Sequence, residues 1–122
     1  MIVDDDIAVC ALFQAALTLD NHETTTFSNG EDALAFLLSP GAARPQLIIT
    51  DVMMPKLDGF TFQQRLRENE RTRRVPIIVV SAKPNLKDAF SQESNVAGFL
   101  EKPCRIDEFR KAVANVLARR PA

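Results

Sequence analysis

Three acids stand together at Asp4, Asp5 and Asp6, and a fourth, Asp51, closes the apolar run "LIIT". A hydroxyl, Ser81, ends "PIIVVS", and a lysine, Lys102, lies in "FLEKP". Carboxylates gathered in one crevice repel each other, so positive charge must offset them. Lys102 is one source and a divalent cation is the other. The chain has one histidine, His22, and its two cysteines, Cys10 and Cys104, form no CxxC pair. The ligands available beside the acids are therefore hard oxygens, which favours Mg2+ or Mn2+ over zinc. Mg2+ takes one or two carboxylates, keeps waters, and leaves room for a phosphate oxygen.

Those residues converge only if the chain folds so as to bring them to one rim. Short apolar runs at 1–3, 23–28, 46–50, 76–81 and 98–100 read as strands. Segments 7–19, 30–38, 60–69, 85–94 and 105–120 read as helices, the fourth with Asn85 and Asp88 spaced like a helix start. "QLIIT" and "PIIVVS" are continuously apolar, as strands covered on both faces are. Five strand–helix units in series imply an α/β protein with a parallel sheet and helices on both faces. In such sheets function collects at the carboxyl ends of the strands. Asp4–Asp6, Asp51, Ser81 and Lys102 each follow or end a strand in this reading.

The 122 residues suit a single domain, 1–122, with 46% hydrophobic and 25% charged residues. A formal net charge of −1 gives no bulk attraction to nucleic acid or anionic lipid. No apolar run approaches membrane-spanning length, and the acids at 4–6 interrupt any signal peptide. Two separated cysteines fit a reducing compartment, so a soluble cytoplasmic protein is expected.

Four segments, "VDDD" (3–6), "DVMMPKLDG" (51–59), "VVSA" (79–82) and "FLEKP" (99–103), resemble the receiver domain of bacterial two-component response regulators. The likeness, of the chemotaxis-regulator type, covers essentially the whole chain. It implies a flavodoxin-like doubly wound (βα)5 fold with a five-stranded parallel sheet in the order 2-1-3-4-5. It also implies that Asp51 accepts a phosphoryl group from a sensor histidine kinase or histidine phosphotransferase. Asp5 would bind Mg2+ directly, Asp4 through water, and Met53 through its backbone carbonyl, with Asp51 itself a ligand. Lys102 would pair with a phosphoryl oxygen and Ser81 would hydrogen-bond another. Phe99 would be the aromatic switch, relaying phosphorylation to the surface of the fourth helix, fifth strand and fifth helix. Such a domain catalyses only its own phosphorylation and dephosphorylation. Its output partner is not legible, direct nucleic-acid and membrane binding are not expected, and homodimerisation is left open.

Simpler readings compete residue by residue. Asp6 suits the cap of the first helix, Asp51 and Asp58-Gly59 suit turns, and Phe99 suits the core. Five arginines within 65–74 read as a solvated helix end and loop, with a basic docking patch as the minority reading. Cys104 stands as a small apolar substitute. The first helix is apolar around most of its circumference, from Ile7 to Leu19, which fits a docking surface about as well as a longer core or an oligomer contact. Only Met1 to Val3 precede the acids, so an earlier natural start is expected. No output domain follows the fifth helix, as in a stand-alone regulator or a receiver cut from a longer protein. Asn95 reads as a helix stop that tolerates the left-handed conformation. The alternative function is a Mg2+-dependent aspartyl-phosphate phosphatase of the haloacid dehalogenase type. Its nucleophile would lie after the first strand, but "DDDIA" (4–8) lacks the Thr or Val of its pattern.

Overall fold

The computed structural model describes residues 1–119. Five parallel strands form one sheet in the order β2-β1-β3-β4-β5. They are β1 (Ile2–Val3), β2 (Thr26–Phe27), β3 (Ile48–Asp51), β4 (Ile77–Ser81) and β5 (Val96–Glu101). The helices are α1 (Ile7–Leu19), α2 (Gly30–Leu38), α3 (Gly59–Glu68), α4 (Lys87–Phe90) and α5 (Ile106–Ala118). The expected (βα)5 architecture and strand order are both present. Arg120, the last residue expected in the fifth helix, lies outside the described residues.

The apolar strands divide their side chains between two cores because successive side chains leave a strand on opposite faces. Ile2, Ile49, Ile78 and Val80 join Phe13, Leu17, Phe109 and Val113 under α1 and α5. Val3, Ile48, Ile77 and Val79 join Leu37, Phe62, Leu66 and Phe90 under α2, α3 and α4. Every residue of β3 and β4 is buried, which is why these runs carry no polar alternation. Phe13 and Phe109 stack at 4.0 Å between ring centres and fix α1 against α5.

Besides β2, which keeps only Thr26–Phe27 of the expected 23–28, three features differ from the sequence reading. The fourth helix, expected over 85–94, is a 3-10 turn at Pro84–Leu86 followed by one helical turn, α4. Neither Asn85 nor Asp88 caps it; the cap position is Leu86, which has no side-chain bond. The Ser91 hydroxyl donates to the Asp88 carbonyl at 2.8 Å, closing the turn where a longer helix would continue. Buried Phe90 holds the single turn to the sheet. β5 starts two residues earlier than expected because a register shift between Ile77 and Ile78 lets Val96 and Gly98 both pair with β4.

Asn95 corrects a third expectation. Among the described residues, the non-glycine residues with positive φ are Asn21 and Lys56, so Asn95 is not left-handed. It is buried, accepts from Gln63 Nε2 at 2.8 Å and donates to the Gln63 carbonyl at 3.2 Å. Its side chain thus ties α3 to the start of β5. Asn95→Gly, which would be near neutral at a left-handed stop, is expected to destabilise by about 1–3 kcal/mol because it strips partners from a buried amide. Urea unfolding reads this directly, and an unchanged midpoint would refute the assignment.

Candidate functional site

The carboxyl ends of β1, β3, β4 and β5 meet at one rim. The chain leaves β1 at Val3, so Asp4 stands just past the strand end, 3% exposed. Its Oδ1 accepts from the Asp6 backbone N–H at 2.9 Å. Its Oδ2 accepts from Lys102 Nζ at 2.7 Å. Asp5 is exposed beside it. Asp6 has the role its type suggests: it caps α1, accepting from the amides of Ala8 at 2.9 Å and Val9 at 3.3 Å.

Asp51 ends β3 and is 8% exposed. Its Oδ1 accepts from the Val52 amide at 2.8 Å, and its Oδ2 lies 3.3 Å from Lys102 Nζ. The Thr50 hydroxyl donates to the Asp51 carbonyl at 2.9 Å. The following loop is stiff. Lys56 has φ of +69°, and the Leu57 amide donates back to the Pro55 carbonyl at 2.8 Å, a tight γ-type turn. The Gly59 amide then donates to the Val52 carbonyl at 2.8 Å, which anchors the start of α3 to the strand end. Asp58, read as a turn residue, caps α3 by accepting from the Thr61 amide at 2.8 Å. Met53 lies within this loop with its side chain exposed.

Lys102 follows β5, and its amide donates to the Ser81 carbonyl at 2.7 Å, joining the ends of β4 and β5. The Ser81 side chain is fully buried and its hydroxyl oxygen accepts from the Lys83 amide at 3.1 Å. Phe99 is half-buried in β5. Its ring centre lies 6.4 Å from that of Phe90, which in turn lies 5.3 Å from Phe60.

Asp4, Asp5 and Asp51 each present a carboxylate oxygen within 4.8 Å of the others. One ammonium faces three carboxylates, so negative charge is in excess. Burial pushes the Asp51 carboxyl above its ordinary range; the Asp4 charge adds to the effect, and Lys102 offsets only part of it. Burial works to lower the Lys102 pKa, but the hydrogen bond to Asp4 and the two acids' charges outweigh it and raise the pKa. Three clustered oxygen donors with residual negative charge suit a hard divalent cation.

The structure therefore gathers Asp4, Asp5, Asp51 and Lys102 about one pocket, with Ser81 tied to the Lys102 backbone and Met53 on the adjoining loop. Two participants escaped the sequence reading. The Cys10 thiol donates to the Asp4 carbonyl at 3.3 Å from behind the pocket. Phe90 connects Phe99 to α4. Neither carries a signal short of the folded geometry. Along α1, Ile7 is 82% exposed and Leu12 50%, so part of its excess apolar surface faces solvent rather than the core.

Comparison with known proteins agrees on one family. The family model for the response regulator receiver domain matches residues 1–114. Response regulator PleD of Caulobacter vibrioides is 38% identical over 106 residues, covering 84% of this chain and 22% of that protein. The signal receiver domain of a signal transduction histidine kinase from Syntrophus aciditrophicus superposes with a TM-score of 0.83 at 28% identity. That match covers 99% of this chain and 92% of the other. The Mn(2+)-bound form of response regulator Rcp1 gives 0.78 at 29% identity over 97% of this chain and 90% of that one. The chain spans 22% of the length of PleD and 52% of that of response regulator Rre1 of Synechocystis. These matches lend no support to a haloacid dehalogenase-type phosphatase.

Proposed function

The chain belongs to the response regulator receiver family of two-component systems, and from that premise we propose that Asp51 is its phosphoacceptor, served by Asp4, Asp5, Met53, Ser81 and Lys102. The observation that carries the reading is the gathering of the Asp4, Asp5 and Asp51 carboxylates within 4.8 Å of one another, with Lys102 Nζ 3.3 Å from Asp51.

The donor is a phosphohistidine on a sensor histidine kinase or histidine phosphotransferase. An Asp51 Oδ attacks phosphorus while the phosphorus–nitrogen bond breaks, and the departing imidazole nitrogen keeps the electron pair and takes a proton. Catalysis of this step is mostly positioning and charge. The Val52 amide fixes one Asp51 oxygen and leaves the other facing Lys102. Lys102 then follows the phosphoryl oxygens as charge builds on them. The residues that would hold Mg2+ are Asp5 directly, Asp4 through water, Asp51, and the Met53 carbonyl. When bound, the ion supplies positive charge beside the transferring group. The likeness to a Mn(2+)-bound response regulator supports a divalent cation here. Mg2+ in tenfold excess over its Kd is expected to add about 1.4 kcal/mol of stability. A chelator should reverse that gain, Asp5→Asn should remove most of it, and a Tm indifferent to Mg2+ would count against the metal site.

A new phosphoryl oxygen offers the Ser81 hydroxyl an acceptor in place of its present contact with the Lys83 amide. Phe99 then turns further inward, and its packing on Phe90 carries the change to α4. The affected face is α4, β5 and α5. The exposed Ile7 and Leu12 of α1 offer apolar area for the phosphoryl donor. The whole 1–122 stretch acts as one cytoplasmic receiver unit, with no reaction on a separate substrate.

The test is incubation with acetyl phosphate and Mg2+, followed by peptide mapping by mass spectrometry. Phosphate confined to the peptide carrying Asp51 supports the assignment; phosphate on Asp4 or Asp5, or none at all, overturns it.

A further inference from the structure

At the opposite end of the sheet, beneath the amino ends of β3, β4 and β5, lies a cleft of about 1150 Å³. Five arginines line it: Arg44, Arg67, Arg73, Arg74 and Arg119. They arrive from three separate parts of the sequence, 44, the 65–74 run and 119, and among the described residues no acidic side chain lines the cleft with them. Among the described residues only Arg67 of the five pairs with a carboxylate, that of Glu93. Arg44 reaches the Arg71 carbonyl at 3.4 Å, and Arg119 the Asn115 carbonyl at 3.3 Å. Arg73 and Arg74 are exposed and, among the described residues, free of such partners.

The backbone beneath Arg73 and Arg74 is firmly built. The buried Thr72 hydroxyl donates to the Leu66 carbonyl at 2.7 Å, and the Asn69 carbonyl accepts from the Arg73 amide at 2.9 Å. The Val75 amide donates to the Thr72 carbonyl at 3.1 Å. This turn presents two adjacent guanidinium groups from a fixed base, so little backbone ordering is needed on binding. The chain's formal charge is −1 overall, so positive charge concentrated here is a separation of charge within the molecule and not a bulk property.

We propose that this cleft binds a polyphosphate, free or carried on a nucleotide. Guanidinium forks match phosphate oxygens bidentately, and several forks around one concavity suit a compact polyanion. A nucleic-acid duplex needs a basic surface extended along its backbone, whereas these arginines line one half-open cleft. The remaining wall includes Pro45, Val75, Pro76, Ala97 and Val116, an apolar floor against which a base could lie.

The experiment is an NMR titration of the whole chain with tripolyphosphate and, separately, with ATP, in metal-free buffer containing about 150 mM salt. Both probes should give saturable shifts at the amides of Val75, Ser94 and Ala97. Tighter binding of ATP assigns the ligand to nucleotides, and equal binding assigns it to free polyphosphate. The double variant Arg73→Ala/Arg74→Ala should weaken binding about tenfold or more, since it removes two charged donors. Its phosphorylation at Asp51 should stay unchanged, which also reports that it folds. Arg119→Ala, on a different element, should weaken binding independently. Absence of saturation, equal binding of sulfate or of an acidic peptide, or shifts confined to the Asp51 rim would each overturn the proposal.

Discussion

Replacing Asp51 with Asn is expected to remove phosphoryl incorporation and, at the same time, to make the fold more stable. The first effect follows from losing the attacking oxygen: an amide is no nucleophile toward phosphorus, so incorporation from acetyl phosphate should fall by about 10³-fold or more, to background. The second follows from electrostatics. Burial and the Asp4 charge raise the Asp51 pKa in the folded state despite Lys102. A carboxyl whose folded pKa is raised binds its proton more tightly when folded. Its contribution to stability is therefore present below its ordinary unfolded pKa, and is lost as pH climbs through the raised folded value. At neutral pH the ionised Asp51 is a net destabilising group, and Asn keeps its shape and its bond from the Val52 amide without the charge. In metal-free buffer the variant should melt a few degrees above the parent at pH 7, and the gap should close as pH falls toward the ordinary Asp range. Added Mg2+ should narrow the gap from the other side by stabilising the parent. Thermal melts at several pH values check this. A variant less stable than the parent at pH 7 would mean that the Lys102 contact outweighs burial and Asp4 repulsion. Residual phosphorylation at the parent rate would remove Asp51 from the chemistry.

The same balance explains which parts of the molecule could be read from the sequence. β3 and β4 were legible because strands buried on both faces must be continuously apolar, and "LIIT" and "PIIVVS" leave no other economical reading. Their ends were legible too: Asp51 after "LIIT" and Ser81 after "PIIVV" mark where the two strands reach the rim. α1, α2 and α3 fell within a residue of their expected bounds, since Asp6, Asn29 and Asp58 all cap them through side-chain bonds. The fourth helix failed because Asn85 and Asp88 resemble a helix start by type and spacing, while the outcome was decided by Pro84 and the Ser91 bond to Asp88. Asn95 failed for a related reason. Its type is common at left-handed stops, but its partner Gln63 lies 32 residues away, and no local pattern announces that pair. At the site, the sequence brought the acids and Lys102 to one rim. It could not show that Lys102 lies closer to Asp4, at 2.7 Å, than to Asp51, at 3.3 Å. The arginine cleft is the clearest case of information held only by the fold, because Arg44 and Arg119 join the 65–74 run through tertiary structure alone.

Gly59→Ala should be among the most damaging single methyl additions to this chain. On general grounds it should help, since Ala is favoured over Gly in a helix by about 1 kcal/mol, and Gly59 is the first residue of α3. The packing reverses that expectation. A Cβ at Gly59 would collide with the Asp51 carbonyl oxygen and stand 2.8 Å from the Val52 Cα. Both obstacles are backbone atoms of the strand end that carries the candidate phosphoacceptor, so no rotamer change relieves the clash. Either α3 must withdraw, breaking the Gly59–Val52 hydrogen bond of 2.8 Å, or the end of β3 must shift. Overpacking of this kind, against backbone, should lower stability by about 2–4 kcal/mol. Gly30 provides the contrast within the same core. A Cβ there meets the Leu57 carbonyl at 3.1 Å and the Phe62 side chain at 3.3 Å, contacts that small adjustments absorb. Gly30→Ala should therefore cost clearly less. Guanidinium unfolding of both variants, read as a shift of midpoint at unchanged slope, separates them. Gly59→Ala should also phosphorylate more slowly, although it keeps every carboxylate, hydroxyl and ammonium of the site, because a displaced Asp51 carbonyl moves the attacking oxygen from Lys102. A Gly59→Ala variant as stable as the parent would mean that the strand end and α3 are not held together as tightly as their backbone contact implies.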